Sequence, residues 1–543
     1  MWRYLKALKG VIFVQVLFSG LYALTIACIP YLQKMLFDQG FGSGTHALLG
    51  LAFLYIGCIA GSAVTQYISQ VYEWKTAKGF NLRIKNDFFR AVARYPYRRF
   101  AGKSVGEYLS MLSNDVEMLE TQYVDAIIDI LKSINMLVVY GFFLFVFIDV
   151  RIAGVIVAAS LVSVFIPKLM AGRLARLRLA YQEQLGRYTD KVKDLLDGFK
   201  RIDYVTRGAI GDQHAAILAD TEQKHYRFGR FKTLANVTNS FVMDIVSLSA
   251  FFAVGYLYYR GQITVGTGIA TFGYIESFIY PIKYILNDIN SLNASKEAKK
   301  NLLALLEESE SPLPCKTSFE QAIEFQQTRV ALGDFRLEPF TYRFEKGKKY
   351  ALIGPSGSGK STVLNALMKY VPQSAGRIVI DGEDIEKLDL SRIVCCIHQH
   401  EPIFADDFLN NVSVFRSYPI GGLDKVSGRL QSGMLESLRS RTDAQAMSGG
   451  EKQMLAALRL MLADPCICVL DEPFAAMDAR MTEQVQKLLM SLENKTIIMV
   501  THKIDRRYLE QFDEILCMEK GRLIAAGTPE QIWGMDSYAR LSG

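Results

Sequence analysis

The fold of the C-terminal half of this chain is decided by the stretch Gly354-Pro355-Ser356-Gly357-Ser358-Gly359-Lys360-Ser361-Thr362. It follows an apolar run and precedes a helical one, which is the context that the pattern GxxxxGK[ST] requires. The glycines let backbone N–H groups close around phosphates, and the helix directs its positive end at them. We expect Lys360 to neutralise the β- and γ-phosphates and the Ser361 hydroxyl to bind Mg²⁺. All nine residues are therefore predicted to bind a nucleotide.

A second motif follows the phosphate loop at residues 466–472. An apolar strand ends there in two carboxylates, Asp471 and Glu472. We expect Asp471 to hold Mg²⁺ through water and Glu472 to act as general base on the attacking water. Short apolar runs at 350–353, 378–380 and 496–500 alternate with helical segments, which predicts an α/β domain of the P-loop NTPase type.

The N-terminal half has a different composition. Half of the 543 residues are hydrophobic, and mean hydropathy is positive at +0.14. A bilayer core needs about 20 apolar residues per helix. Runs of that length predict an all-α membrane domain of six helices, at residues 11–36, 48–71, 124–148, 152–170, 241–259 and 263–285.

The loops between these spans alternate in charge. The loops at 72–123 and 171–240 are long and basic, whereas the loop at 38–47 has no Lys or Arg. Basic loops stay in the cytoplasm, so the N-terminus and everything after the sixth span are predicted to be cytoplasmic. The net charge of +7 is then explained by the membrane, and no nucleic acid is expected as a partner. Both long loops are predicted to be helical extensions of the spans.

The chain is thus predicted to have two domains. Residues 1–306 form the transmembrane domain and residues 321–543 the nucleotide-binding domain. The segment between them, 307–320, is rich in Glu, Ser and Pro, as is typical of a linker.

Several further motifs carry a resemblance to a known family. The residues Met447-Ser448-Gly449-Gly450-Glu451 resemble the LSGGQ signature of the ATP-binding cassette (ABC) superfamily, in its exporter-type half-transporter arrangement. Gln399 resembles the family's Q-loop glutamine, and His502 its switch histidine. The other matching stretches are Ala475-Ala476-Met477-Asp478 (the D-loop), Gly106-Glu107 with Asn114-Asp115, and residues 261–266.

The resemblance implies an ATP-hydrolysing translocase with ATP and Mg²⁺ as its cofactors. It implies a head-to-tail dimer with a second half-transporter, identical or different, in which each ATP meets the phosphate loop of one subunit and the signature of the other. Ser448, Gly449, Gly450 and Asp478 would then bind ATP across the interface. Gln399 and Lys360 would join Glu472 and His502 in catalysis, with Gln399 also close to Mg²⁺ and His502 at the γ-phosphate. The expected location is the bacterial cytoplasmic membrane, with the lipid bilayer as a partner.

Three features depart from the family pattern. Met447 and Glu451 replace the commonest Leu and Gln of the signature, and the usual acidic-glycine stretch just before it is missing at residues 441–446. The larger departure is Leu332, which aligns with the aromatic residue on which adenine stacks. Phe335 is the competing candidate for that platform. Adenine stacking is therefore expected to be weak.

Coupling and cargo are less determined. Residues 100–104 and 199–204 are the candidate coupling helices, since they lie at the tips of the cytoplasmic loops. The sixth span is aromatic and carries Glu276, Lys283 and Pro281; ionisable groups in a membrane are candidates for function. Asp129 and Asp244 are weaker candidates.

The cargo is predicted to be a small molecule, lipid or peptide, and the direction to be export. Import of a metal–chelator complex by the same fold is the first alternative. A soluble ABC ATPase of translation or DNA repair is the second, and the six apolar segments count against it.

Overall fold

The computed structural model describes residues 1–38, 44–307, 313–399, 401–423, 434–475 and 477–535, and within them leaves aside the side chains of residues 159–169, 239, 243, 246, 276 and 279. The chain divides into two compact units. One unit comprises Met1–Ala91 with Val105–Glu308, and the other comprises Val92–Ser104 with Ser309–Gly543. Residues 92–104, predicted within the membrane domain, thus group with the second unit.

Helices are the only regular secondary structure among the described residues of the first unit. Its helices are α1 (Trp2–Ala7), α2 (Lys9–Asp38), α3 (Thr45–Val92, whose last residue belongs to the second unit), α5 (Val105–Ile148), α6 (Val150–Asp197), α7 (Arg207–Tyr259), α8 (Val265–Ala294) and α9 (Lys296–Glu307). Helices α3, α6 and α7 are 48, 48 and 53 residues long. At 1.5 Å per residue each exceeds the thickness of a bilayer, which agrees with the predicted helical extensions of the spans.

Four of these helices, among the described residues, are long and apolar enough to cross a membrane: α2, α3, α5 and α7. They contain the predicted first, second, third and fifth spans. The predicted fourth span lies on α6, where the side chains of 159–169 are not described, and the predicted sixth span lies on α8. The predicted fourth span is thus continuous helix, and the predicted sixth span is helical from Val265 onward.

The tight turn before α8 is tied to the end of α2. Asp38 accepts hydrogen bonds from the Thr264 hydroxyl (2.8 Å) and from the Gly266 amide (3.0 Å). A Cβ at Gly266 would lie 2.4 Å from the Lys34 carbonyl oxygen, so only glycine lets the two helices approach this closely. Further along α8, the buried Tyr274 hydroxyl donates to the Ala27 carbonyl of α2.

The second unit contains all the described strands. They are β1 (Ala322–Leu332), β2 (Phe335–Glu345), β3 (Lys349–Ile353), β4 (Ala375–Ile380), β5 (Glu383–Asp384), β6 (Val394–Ile397), β7 (Ile467–Asp471), β8 (Thr496–Val500), β9 (Glu514–Glu519) and β10 (Arg522–Gly527). Its helices are α4 (Tyr97–Phe100), α10 (Lys360–Leu367), α11 (Phe408–Val412), α12 (Met434–Arg439), α13 (Gly449–Ala463), α14 (Ala479–Met490), α15 (Arg506–Leu509) and α16 (Pro529–Trp533).

Within the described residues these strands form two sheets. One has the order β10-β9-β3-β8-β7-β6, in which β6, β7, β8, β3 and β9 run parallel; the other has the antiparallel order β2-β1-β4-β5. The central strands β3, β7 and β8 are apolar and buried, as is expected of a parallel sheet covered on both faces. Their carboxyl ends meet at one edge of the sheet, where ligands bind in open α/β folds.

The C-terminal part of the predicted linker is packed on this unit. Cys315 forms a bridge with Asp389, and the Lys316 ammonium lies 2.6 Å from Glu383. Phe319 is buried in the core of the antiparallel sheet. Helix α9 ends at Glu307, and the residues from 308 to 312 lie outside the description.

The first candidate coupling segment begins earlier than predicted. Its helix is Tyr97–Phe100, whereas residues 101–104 form turns. Within the second unit, the Tyr97 ring packs on Tyr370 with centroids 4.4 Å apart, and Arg98 lies 3.7 Å from Glu386. Pro96 caps the helix and fixes where it starts. The second candidate contains a short 3₁₀ turn at Phe199–Arg201, followed by the highly exposed Tyr204.

Candidate functional site

The phosphate loop connects β3 to α10 in the predicted manner. Gly354 and Gly359 have φ angles of +153° and +99°, which L side chains rarely adopt. A Cβ at Gly354 would lie 2.2 Å from the Met518 carbonyl oxygen of β9. Strand β9 thus holds the loop so close that only glycine fits, and α10 begins with its free N–H groups directly after it.

The Lys360 side chain folds over this loop. Its ammonium donates to the carbonyl oxygens of Gly354 (2.9 Å) and Pro355 (3.0 Å). Burial lowers the pKa of Lys360, and the carboxylates of Glu472 and Asp471 oppose that shift. The cation therefore lies inside the loop, where phosphate charge would stabilise its protonated form.

Oxygen ligands of the kind Mg²⁺ prefers meet beside the loop. The Ser361 hydroxyl donates to Asp471 Oδ1 at 3.0 Å, which joins α10 to the end of β7. Burial raises the pKa of Asp471, although the hydrogen bond from Ser361 opposes it. Among the described residues no group bonds the buried Ser358 hydroxyl in the same loop. This donor set fits Mg²⁺ and a phosphate oxygen better than a soft metal.

Glu472 lies where β7 ends against β8. Its amide donates to the Val500 carbonyl (3.1 Å), and its φ of +50° is unusual for a side chain of this size. Its carboxylate lies 2.7 Å from His502 Nε2 and accepts a longer bond, 3.4 Å, from the Gln399 amide. The structure therefore brings together three of the four residues predicted for catalysis, with His502 and Gln399 at the Glu472 carboxylate. The backbone of Glu472 has a conformation of the strained kind that occurs at active sites.

The signature serine caps a helix. Ser448 is the N-cap of α13, and Glu451 completes a capping box: its amide donates to the Ser448 hydroxyl (3.3 Å) and its carboxylate accepts from the Ser448 amide (2.7 Å). Glu451 also pairs with Arg441 at 3.0 Å. This arrangement explains how Glu replaces the commoner Gln. Ser448 and Gly449 remain exposed at the positive end of a 15-residue helix, whereas Gly450 is buried.

Asp478 caps α14 in a similar way, since its carboxylate accepts from the Met481 amide at 2.7 Å. The residue is exposed. Its structural role is clear, and contact with a nucleotide stays a prediction. Ala476 of the same motif lies outside the described residues.

The candidate adenine platform contains both Leu332 and Phe335, which are cross-strand partners in the β1–β2 hairpin. Leu332 is 38% exposed. Phe335 is half-buried against the core, and a Cβ at Gly359 would lie 2.9 Å from its Cζ. Phe335 thus packs beneath the phosphate loop, a position that no sequence pattern indicated.

A group that the sequence motifs missed lies beside the Q-loop. His398 precedes Gln399 and its Nε2 lies 3.5 Å from the Tyr370 hydroxyl, the ring on which Tyr97 packs. The loop after Gln399 is held by a buried ion pair between Arg459 and Glu401 (2.8 Å). The sequence signal that could have indicated this group is Tyr97, an aromatic residue directly after Pro96.

The residues of the membrane unit that were predicted to bind cargo differ in their exposure and partners. Lys283 and Asp244 are exposed, while the Glu276 side chain lies outside the description. Asp129 forms an ion pair with Lys132 at 2.9 Å.

Comparisons with known proteins agree with this architecture. Residues 12–282 match the family model described as the ABC transporter transmembrane region, and residues 337–475 match the model described as ABC transporter. Two relatives are ATP-dependent lipid A-core flippases, from Pectobacterium atrosepticum (24% identical) and Yersinia pestis bv. Antiqua (25% identical); each alignment covers 94% of this chain and 91% of the relative. The structure of a bacterial Atm1-family ABC exporter with ATP bound superposes with a TM-score of 0.83 at 18% identity, over 99% of both chains.

These matches confirm the predicted family and the order of its two domains, a helical membrane domain before an α/β ATPase domain. They also contradict the soluble alternative, since about half of the chain matches a transmembrane region. The chain therefore belongs to the ABC transporter family, and it is an ATP-hydrolysing, multi-pass membrane transporter with the exporter fold.

Proposed function

We propose that two copies of this chain form an exporter that moves an amphipathic molecule across the bacterial cytoplasmic membrane, with the N-terminus and the ATPase domain on the cytoplasmic side. The observation that carries the proposal is that this one chain has both surfaces that a shared ATP site would need, a phosphate loop beside a carboxylate and an exposed signature serine. Its Glu472 is positioned by His502 and Gln399, and its signature residue Ser448 is exposed at a helix N-terminus.

ATP binds first through the phosphate loop in this mechanism. The backbone amides of the loop and the start of α10 donate to the phosphates, and Lys360 neutralises their charge. Mg²⁺, when bound, would neutralise further charge on the phosphates, and Ser361, Asp471 and Gln399 are the residues that would hold it. The adenine ring is expected to lie close to Leu332 and Phe335.

Hydrolysis then depends on Glu472. Its carboxylate accepts the proton of the attacking water, while the hydrogen bond from His502 orients it. The exposed N-terminus of α13 from the second copy adds backbone N–H donors to the γ-phosphate, so the site becomes complete only in the dimer. ATP thereby draws the two ATPase domains together, and hydrolysis releases them.

The membrane half supplies the cargo path. Relatives named as lipid A-core flippases support an amphipathic cargo, and the basic cytoplasmic loops support the orientation. Tyr97 packs on Tyr370, and the Tyr370 hydroxyl lies close to His398, the residue before Gln399. This series of contacts supports a route from the first cytoplasmic loop to the catalytic site.

A mixed dimer tests the shared site. Chains carrying Lys360→Ala and chains carrying Ser448→Arg are each expected to be inactive alone. When mixed, they leave one site with both defects and one with none, so up to half of the ATPase activity should return.

The matched control places both substitutions in one chain and mixes it with wild type. Each site of that mixed dimer then has one defect, and no such activity should appear in a purified mixed dimer. Activity in the control mixture together with none in the first mixture would show that each site is contained within one copy. Direction is tested separately: ATP-dependent accumulation of cargo inside inverted vesicles supports export, and accumulation only in right-side-out vesicles, with ATP sealed inside, supports import.

A further inference from the structure

A cavity of about 290 Å³, lined mostly by residues with polar groups, lies between α2, α3, α5 and α8 of the membrane unit. In the proposed orientation it lies towards the cytoplasmic ends of these spans. The aromatic and charged residues that line it come from four helices: Tyr22, Glu73, Asp129, Lys132, Tyr284 and Asp288. Asp129 and Lys132 lie within the predicted third span, where ionisable groups are costly unless they have a function or a partner. Glu73 and Asp288 lie just beyond the predicted second and sixth spans.

The charges of this cavity do not balance. The Lys132 ammonium lies 2.7 Å from Glu73 Oε2 and 2.9 Å from Asp129 Oδ1. Its side chain is only 18% exposed, whereas the two carboxylates are 41% and 44% exposed. One largely buried cation is thus shared by two carboxylates that remain open to the cavity, and Asp288 adds a third.

Asp288 is the least satisfied of these groups. Its Oδ2 atom is fully buried, and in the described part of the chain no donor reaches it. A buried carboxylate oxygen that no donor reaches is unfavourable unless a positive charge nearby compensates it. Asp288 lies one helical turn after Tyr284, on the same face of α8, which is the face lining the cavity.

The cavity also has a surface suited to an organic cation. Tyr22 and Tyr284 present aromatic rings, whose faces attract cations within about 6 Å. A π-helical turn at Glu120–Val124 precedes Asp129 and Lys132 on α5; such turns often occur at functional sites. No group of His, Cys, Asp and Glu suited to a metal ion is found among the described residues, which argues for an organic cation over a bare metal.

We propose that this cavity binds the positive charge of an amphipathic organic cation, with Asp288 and Glu73 as its counter-charges, and that the exporter's cargo belongs to this chemical class. Only the second part of this proposal, the chemical class of the cargo, rests on the function proposed above, because binding in the cavity requires no ATP. An anionic headgroup would instead meet an excess of carboxylates around Lys132.

The test uses two ions of nearly the same size and shape but of opposite permanent charge, tetraphenylphosphonium and tetraphenylborate. Their binding to the full chain in nanodiscs of zwitterionic lipid is measured without nucleotide, with empty nanodiscs as the background. Asp288→Asn should raise the Kd of tetraphenylphosphonium about tenfold, which corresponds to about 1.4 kcal/mol. Glu73→Gln, on another helix, should act in the same direction.

The borate ion and a control variant separate loss of charge from loss of fold. Collapse of the cavity would weaken the binding of both ions, whereas loss of a carboxylate should leave the binding of tetraphenylborate unchanged or make it tighter. Asp190→Asn removes an exposed carboxylate of α6 that does not line the cavity, and it should leave both ions unaffected. A change of less than twofold for tetraphenylphosphonium in both variants, or a parallel loss of both ions, would overturn the proposal.

Transport decides between the two proposals. Charge-dependent binding with no ATP-driven movement of tetraphenylphosphonium into inverted vesicles would refute the cargo class while leaving the site. Transport of lipid or peptide cargo with no charge-dependent binding would refute the site while leaving the exporter function intact.

Discussion

Glu472→Gln is the sharpest test of the catalytic site. Glutamine has nearly the same shape as glutamate. The hydrogen bond from the backbone amide of residue 472 to the Val500 carbonyl, and the left-handed backbone at this position, should therefore be retained. One side-chain oxygen also remains to face His502, which lies 2.7 Å from the present carboxylate. The substitution therefore removes the base and its charge with little change of geometry.

The expected loss follows from the role of the carboxylate. A positioned general base contributes about 10²- to 10⁴-fold to a rate. At about 1.36 kcal/mol per factor of ten this is roughly 2.7–5.4 kcal/mol in the activation free energy. ATP affinity should change by less than about tenfold, because Lys360 and the loop amides, which are expected to bind the phosphates, are untouched.

The assay compares steady-state ATP turnover with equilibrium ATP binding in the same reconstituted preparation. Glu451→Gln is the matched control, since it is the same chemical change in the signature and Gln can still complete the capping box. Its cost should be limited to the partly exposed pair with Arg441, below about 1 kcal/mol. Turnover of Glu472→Gln within tenfold of wild type would remove this residue from the role of base. Loss of ATP binding would show instead that Glu472 supports the nucleotide site.

Three further outcomes are expected. ATP and GTP should have apparent affinities within about tenfold of each other, and Leu332→Tyr should tighten the binding of ATP. If Phe335→Ala strongly weakens ATP binding while Leu332→Tyr has no effect, the adenine platform is Phe335 and base recognition is not loose. Tyr97→Ala removes a ring pair worth about 0.5–1.5 kcal/mol, so cargo stimulation of the ATPase should fall about two- to tenfold while basal ATPase stays; Tyr97→Phe keeps the ring contact with Tyr370 and should behave as wild type, and equal loss of basal activity would contradict a coupling role. Ser361→Ala removes the hydroxyl 3.0 Å from Asp471 and should raise the Mg²⁺ concentration for half-maximal ATPase at least severalfold, whereas an unchanged Mg²⁺ dependence would exclude it as a ligand.

The sequence by itself determined the parts of this protein that are contiguous in the chain. The phosphate loop and the strand ending in Asp471 and Glu472 are local patterns, because backbone geometry and side-chain chemistry are fixed there within a few residues. Four of the six predicted spans coincide with helices that meet the length and hydropathy of a membrane crossing, since hydropathy is a property of short windows. The family and the order of domains followed from these patterns.

Only the tertiary structure decided how distant residues combine. Lys132 meets Glu73 across 59 positions of sequence, and Asp288 joins them in one cavity from a fourth helix. Phe335 lies beneath Gly359, and Tyr97 packs on Tyr370. None of these contacts has a sequence period or spacing, because each is set by which helix faces or strand edges pack together. The excess of carboxylates in the cavity is therefore visible only once the helices are assembled.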